Sequence, residues 1–155
     1  MIALVQRVAR ASVAVGGETV GAVGPGALVL LGVVRGDAAA QADWLAAKVA
    51  ALRIFPDAEG KMNRSLRDTR GGALVVSQFT LAGDASRGTR PSYARAALPA
   101  DAEPLYEHFV RALEDALGRP VPTGVFGAAM QVDLVNDGPV TLWLDRPPPA
   151  PGPAT

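Results

Sequence analysis

The sequence predicts an α+β fold: a curved, mainly antiparallel β-sheet or barrel covered by two helices. Three observations carry that prediction. Short apolar runs bounded by Gly and Pro punctuate the chain from Ile2 to Leu144, Gly16-Gly17 joins the first two runs as a hairpin, and only two segments have the apolar spacing of an amphipathic helix.

Residues 2–9 and 11–15 are apolar with period-two interruptions, and Glu18 to Val23 returns from the glycine pair before the Gly24-Pro25-Gly26 break. "ALVLLGVV", 27–34, is apolar on both faces and reads as a central buried strand. Asp37 then stands where it would cap a helix running to about Arg53, with Leu45, Val49 and Leu52 on one face. A turn at Asp57 to Gly60 and an irregular basic stretch lead to Gly71-Gly72 and a strong strand, "ALVVSQFTL", 73–81. The second helix is expected from Asp101 to Leu117, with Pro104 tolerated in its first turn, Leu105, Phe109, Ala112, Leu113 and Ala116 as its inner stripe, and Gly118 as its stop. The last strands are expected at Val121–Val125, Met130–Val135 and Val140–Leu144. Residues 1–145 therefore read as one domain, and "RPPPAPGPAT", 146–155, with five prolines in ten residues, as a disordered tail.

Composition narrows the chemistry. A chain of 155 residues that is 49% hydrophobic can bury a real core. The chain has no cysteine, hence no disulfide and no thiolate metal site, and Gln6 and Arg7 interrupt the N-terminal run too early for a signal peptide. A soluble, cytoplasmic protein with no membrane partner is expected. The one histidine, His108, falls on the second helix, which argues against a Ser-His-Asp triad and against a multi-histidine zinc site. No phosphate-binding glycine motif is present, so no nucleotide cofactor is expected, nor any other. Fifteen basic residues balance fifteen acidic ones, so a polyanion would have to be held by local charge. Between Lys61 and Arg95 seven basic residues (Lys61, Arg64, Arg67, Arg70, Arg87, Arg90, Arg95) face only Asp68 and Asp84, which suits either a solvated loop surface or phosphate binding.

Two segments stand out. The strand 73–81 turns polar at Ser77, Gln78 and Thr80 as it meets a glycine-bearing loop, which suits a pocket floor or a plain strand ending in local side-chain bonds. In "VNDGPVT", 135–141, Asp137-Gly138 would suit a tight hairpin, yet Pro139 has no N–H to donate across it.

"SQFTL" (77–81) together with "NDGPVT" (136–141) resembles the paired signature of the D-aminoacyl-tRNA deacylases, and "QRVARASVAV", "LRIFPDAEGKMN" and "TGVFGAAMQVDLVNDGPVT" are similar to that family too. The similarity covers about residues 1–145. It implies a homodimer that hydrolyses the ester joining a D-amino acid to the 3′-terminal adenosine of tRNA; glycine, which has no side chain to exclude, is expected to be accepted as well. It further implies that Ser77, Gln78, Phe79 and Thr80 line the pocket, with main-chain N–H groups on the oxyanion and Phe79 against the adenosine. A cis Gly138-Pro139 bond would project into the other subunit's site to exclude L-amino acids, with Arg7 supporting it. Phe126 and Met130 would lie near the pocket, a placement that core packing explains nearly as well. An X-Pro bond pays only ~0.5–1 kcal/mol for cis, and Gly138 removes the side chain from a close approach. A threonine nucleophile needs a base and none is evident, so catalysis assisted by the RNA 2′-hydroxyl is favoured. The competing readings are a non-catalytic RNA-binding dimer and a small-ester hydrolase that uses Thr80.

Overall fold

The computed structural model describes residues 1–149. β1, Ile2–Val15, is the strand around which the sheet is organised. Its first half pairs antiparallel with β3, Gly26–Gly32, and its second half with β2, Glu18–Val23. Along its other edge β1 pairs antiparallel with β7, Met130–Asp145, over nearly its whole length. β6, Gly72–Ser77, adds to β3 in parallel. Three antiparallel pairings and one parallel pairing thus make the predicted curved, mainly antiparallel sheet.

The curl brings backbones together where glycine permits it. A Cβ on Gly26 would overlap the Gly72 carbonyl, and one on Gly21 would lie 2.5 Å from the Thr123 carbonyl oxygen. Two helices cover one face: α1, Ala39–Ala51, and α3, Pro99–Leu117. Leu45 and Val49 of α1 and Tyr106, Phe109 and Leu113 of α3 close the main core over Val5, Val29, Leu31 and Val75. The opposite face packs Val8, Val13, Leu28, Leu74 and Val76 into a second cluster. "ALVLLGVV" is apolar on both faces because each face has a core of its own. Burying one such Leu or Val side chain stabilises by ~1.5–3 kcal/mol.

Four expectations need correction. Asp37 does not cap α1. Its Oδ1 accepts the Met1 ammonium at 2.7 Å and its Oδ2 accepts the Val34 N–H at 2.8 Å, while Ala38 takes the cap position and its N–H donates to Gln41 Oε1 at 2.9 Å. The strand expected at 73–81 stops at Ser77, after which Phe79–Ala82 form a single 3-10 turn. Residues 121–125 form no strand; only Thr123 bridges to Val75. The strands expected at 130–135 and 140–144 are one strand, β7, with an excursion inside it. Composition also hid three short elements in the basic stretch: β4, Phe55–Pro56, β5, Met62–Arg64, and α2, Leu66–Thr69. The last of these carries a Ser65/Asp68 capping box.

Beyond β7, the Arg146 N–H donates to the Met1 carbonyl at 2.9 Å, and its guanidinium lies 5.1 Å from the centre of the Trp44 ring. Residues 147–149 carry no regular secondary structure, and the rest of the expected tail, 150–155, lies outside the described residues. No helix of the described residues is long and apolar enough to cross a membrane.

Candidate active site

Where β6 ends, the chain must leave the sheet without losing its last pairing. Gln78 still donates its N–H to the Leu31 carbonyl at 2.8 Å, and the chain then turns over Gly32. A Cβ on Gly32 would sit 3.0 Å from the Gln78 carbonyl oxygen and 3.2 Å from Leu81 Cβ, so the turn lies as close to the sheet as a glycine allows. Within the turn, Leu81 and Gly83 donate to Gln78 and Thr80 carbonyls. The amides of Phe79 and Thr80, at its start, meet no acceptor among the described residues.

Phe79, whose amide is one of the two, lines a cleft of about 550 Å³. Ser77, Gln78 and Phe79 form its floor, Val33, Arg35, Tyr93 and Ala97 one wall, and Phe126, Met130 and Val132 another. Phe79 is 56% exposed and meets Tyr93 edge to face, ring centres 5.2 Å apart at 71°. Phe126 leans on Tyr106 at 5.8 Å. A Cβ on Gly124 would come 2.5 Å from Met130 Sδ, so that glycine makes room for the methionine. Behind the floor the buried Tyr106 hydroxyl donates to the Val75 carbonyl at 3.0 Å, and burial pushes its pKa up to about 12.

No carboxylate and no histidine lines the cleft among the described residues; Arg35 is its one charged side chain, and its Nε donates to the Ala94 carbonyl at 2.8 Å. The Thr80 hydroxyl is exposed and hydrogen-bonded to the Gln78 side-chain amide, with no base beside it. His108 faces Asp43 on the outer surface of the helices, Nε2 to Oδ1 2.6 Å, away from the cleft.

The structure therefore brings Ser77, Gln78, Phe79, Phe126 and Met130 to one cleft, whereas Thr80, next in sequence after Phe79, is not among the residues that line it. Phe126 and Met130 also pack against the two cores, so for them lining and packing coincide. Gly138 and Pro139 are not in that cleft. They sit in the excursion of β7, where five steps from Asn136 to Thr141 oppose only the two from Val8 to Gln6. The Gly138-Pro139 bond is cis, and both residues are exposed. Gly138 has φ +125, and a Cβ there would lie 2.9 Å from both Arg7 Nη2 and Val140 Cγ2. Arg7 holds the excursion from below through Asp137, and its Nη1 donates to the Ile54 carbonyl at 2.7 Å.

Three residues here escaped sequence reasoning. Asn136 stitches the excursion shut, its Nδ2 donating to the Arg7 and Val140 carbonyls at 3.0 Å each. An Asx residue opening a turn was the signal for it. Tyr93 and Arg35 reach the cleft from loops, and nothing local in the sequence marks either.

The excursion on β7 and the polar turn after β6 are the two sequence signatures, each now a defined piece of backbone. A model of the family described as D-Tyr-tRNA(Tyr) deacylase matches residues 4–145, spanning both.

The chain belongs to the D-Tyr-tRNA(Tyr) deacylase family.

It is accordingly a hydrolase acting on ester bonds, of the D-aminoacyl-tRNA deacylase class. The D-aminoacyl-tRNA deacylase of Salinibacter ruber is 60% identical over 146 residues, covering 94% of this chain and 97% of that one. Its counterpart in Symbiobacterium thermophilum is 61% identical over 143 residues, 92% of this chain and 94% of its own. Among solved structures, the c-Myc DNA Unwinding Element Binding Protein superposes with a TM-score of 0.89 at 41% identity, covering 95% of this chain and 99% of that one. A probable eukaryotic D-amino acid tRNA deacylase superposes at 0.82 with 17% identity, covering 94% of this chain and 98% of that one, and shares the fold.

Proposed function

We propose that this chain removes D-amino acids, and glycine, from tRNA by hydrolysing the ester at the 3′-terminal adenosine. The observation that carries the mechanism is a cleft that offers free amides and no base. An ester carbonyl seated over the Phe79 and Thr80 N–H groups would have its developing oxyanion bound by preorganised donors, each worth about 3–4 kcal/mol. The proton-transfer partner then comes from the substrate, whose ribose 2′-hydroxyl neighbours the ester. Phe79, with Tyr93 at its edge, presents an exposed aromatic surface for the adenine.

Chirality is chosen by exclusion in this reading. Gly138 and Pro139 stand exposed on their own subunit, outside its cleft, which suits delivery into the cleft of a second copy in a homodimer. Main-chain carbonyls aimed at the substrate α-carbon would collide with an L side chain and leave a D side chain pointing outward. Sparing the L-aminoacyl-tRNA pool asks for discrimination on the order of 10⁴-fold, about 5.5 kcal/mol, which a rigid steric wall supplies and one missing methylene does not.

The test is hydrolysis of D-tyrosyl-, L-tyrosyl- and glycyl-tRNA at equal enzyme. The D and glycyl esters should be lost while the L ester survives. Rapid loss of the L ester, or a resistant glycyl ester, would show that selection does not work by excluding the L side chain. Tight tRNA binding without turnover of any ester would favour a purely nucleic-acid-binding role, the kind for which the 41%-identical c-Myc DNA Unwinding Element Binding Protein is named.

A further inference from the structure

Of the seven basic residues between 61 and 95, Arg64 and Arg67 are tied to the fold, whereas the side chains of Lys61, Arg70, Arg87, Arg90 and Arg95 donate to no acceptor among the described residues. Arg64 and Arg67 are structural: each donates to a main-chain carbonyl, of Asp68 at 2.9 Å and of Ala116 at 3.1 Å. Arg87 and Arg90 are exposed and have no acceptor and no acidic partner among the described residues. They stand on the loop between the 3-10 turn and α3, whose neck is closed by Asp84 and Ser92 exchanging backbone hydrogen bonds at 2.8 Å each. The loop's one carboxylate is already engaged, since Asp84 accepts the Ser86 N–H at 2.9 Å and is held below its usual range by Ser86 and, more weakly, by the charge of Arg95. Two positive charges are left uncompensated at the tip.

The neck of this loop ends in the cleft wall. Tyr93 follows Ser92 directly, lines the cleft and meets Phe79. The next carbonyl, of Ala94, fixes the guanidinium of Arg35, and the one after, of Arg95, accepts the Arg35 N–H at 2.9 Å. Arg35 thus lines the cleft, and the loop that carries Arg87 and Arg90 at its tip is joined to it through the Ala94 and Arg95 carbonyls.

We infer that this loop is a phosphate clamp: Arg35 meets the phosphodiester next to the ester-bearing nucleotide, and Arg87 and Arg90 meet those of the RNA strand leading away from it. The inference rests on the deacylase reading for the identity of the strand, and it adds which cations hold that strand. Phosphate contacts of this kind set affinity and register without reading sequence, and each releases counterions, so their loss is visible in salt dependence.

The experiment compares the wild type with Arg87→Gln/Arg90→Gln, and with Lys48→Gln/Arg111→Gln, which removes the same charge from exposed positions on α1 and α3. Binding of uncharged tRNA is followed by anisotropy across a KCl series, and turnover is measured on D-aminoacyl-tRNA and on D-aminoacyl-adenosine, which has no phosphate. The loop variant should bind tRNA at least tenfold more weakly, and its slope of log affinity against log salt should be shallower by about 1.4, at ~0.7 per single-strand phosphate. Its efficiency on D-aminoacyl-tRNA should fall through KM, relative to its own efficiency on the nucleoside ester, while the helix variant binds tRNA like the wild type. An unchanged salt slope, or equal losses in the two variants, overturns the clamp. Because the binding series needs no turnover, a wild type inactive on both D esters would sink the deacylase reading and still leave the clamp decided.

Discussion

Arg7 and Asp137 face each other across the ladder between the first and last strands, Arg7 Nε lying 3.0 Å from the Asp137 carboxylate and 3.1 Å from its carbonyl oxygen. The side chain of Arg7 is 12% exposed and that of Asp137 55%, so the pair is anchored on the inner partner. The same guanidinium also reaches Ile54, which ties the segment carrying Gly138 and Pro139 to the loop after α1.

Replacing Arg7 by Ala should therefore loosen the excursion without dissolving the sheet. Loss of charge-assisted bonds of this type costs about 1.5–3 kcal/mol, and for a domain of this size each kcal/mol lowers Tm by roughly 2–4 °C. Circular dichroism should stay near wild type while the ratio of D-tyrosyl- to L-tyrosyl-tRNA hydrolysis falls. A ratio unchanged in Arg7→Ala would mean that the excursion holds its shape without the arginine.

If each cleft is completed by the other subunit, two inactive variants should repair one another. A Gln78→Ala chain mixed with a chain altered at Gly138-Pro139 should regain part of the wild-type activity, since a heterodimer contains one intact site. The check is turnover of D-tyrosyl-tRNA after subunit exchange has been shown by tagged copurification. No recovery after exchange would count against cross-subunit sites.

Thr80→Ala should keep its rate within about tenfold, because the hydroxyl it loses is paired with the Gln78 amide and has no base. A substrate ending in 2′-deoxyadenosine should lose at least about a hundredfold, the lower end of what positioned proton transfer contributes. Single-turnover rates on 3′-linked esters decide the matter. A covalent acyl-Thr80 adduct trapped during turnover would overturn RNA-assisted catalysis.

Tyr106 supplies a pH signature of the fold. Burial raises its pKa from about 10 to about 12, so the folded state favours the neutral phenol. That contribution is fully present below pH 10 and is lost as pH rises through 12, because the unfolded chain ionises first. Urea midpoints of the wild type should fall across this window, and those of Tyr106→Phe should fall less steeply. Parallel curves would mean that the phenol ionises as readily in the folded protein as in the unfolded one.

The parts of this architecture that were legible beforehand are those governed by short-range rules. Gly16-Gly17 gave the first hairpin, the double-faced run 27–34 the central strand, and the stripe through Phe109 and Leu113 the second helix. What stayed hidden depended on distant partners. Asp37 has every local property of a helix cap, and a buried ammonium 36 residues upstream takes its carboxylate instead. Val121–Val125 is strand-like in composition but finds only one bridge. The floor of the cleft was readable because a polar turn after an apolar strand is a local event, whereas Tyr93 and Arg35 enter it through loop closures that no spacing reveals.

That β1 takes β7 as its longest partner also fixes when the molecule can be made. At a synthesis rate of about 5–20 residues per second, β1 leaves the ribosome on the order of ten seconds before β7 does. During that interval an apolar strand has one edge without its native neighbour, the arrangement most open to pairing with another chain. Closure of that edge and presentation of Gly138-Pro139 are the same late event, because one strand performs both. A nascent chain therefore does not display Gly138-Pro139 until its sheet is complete.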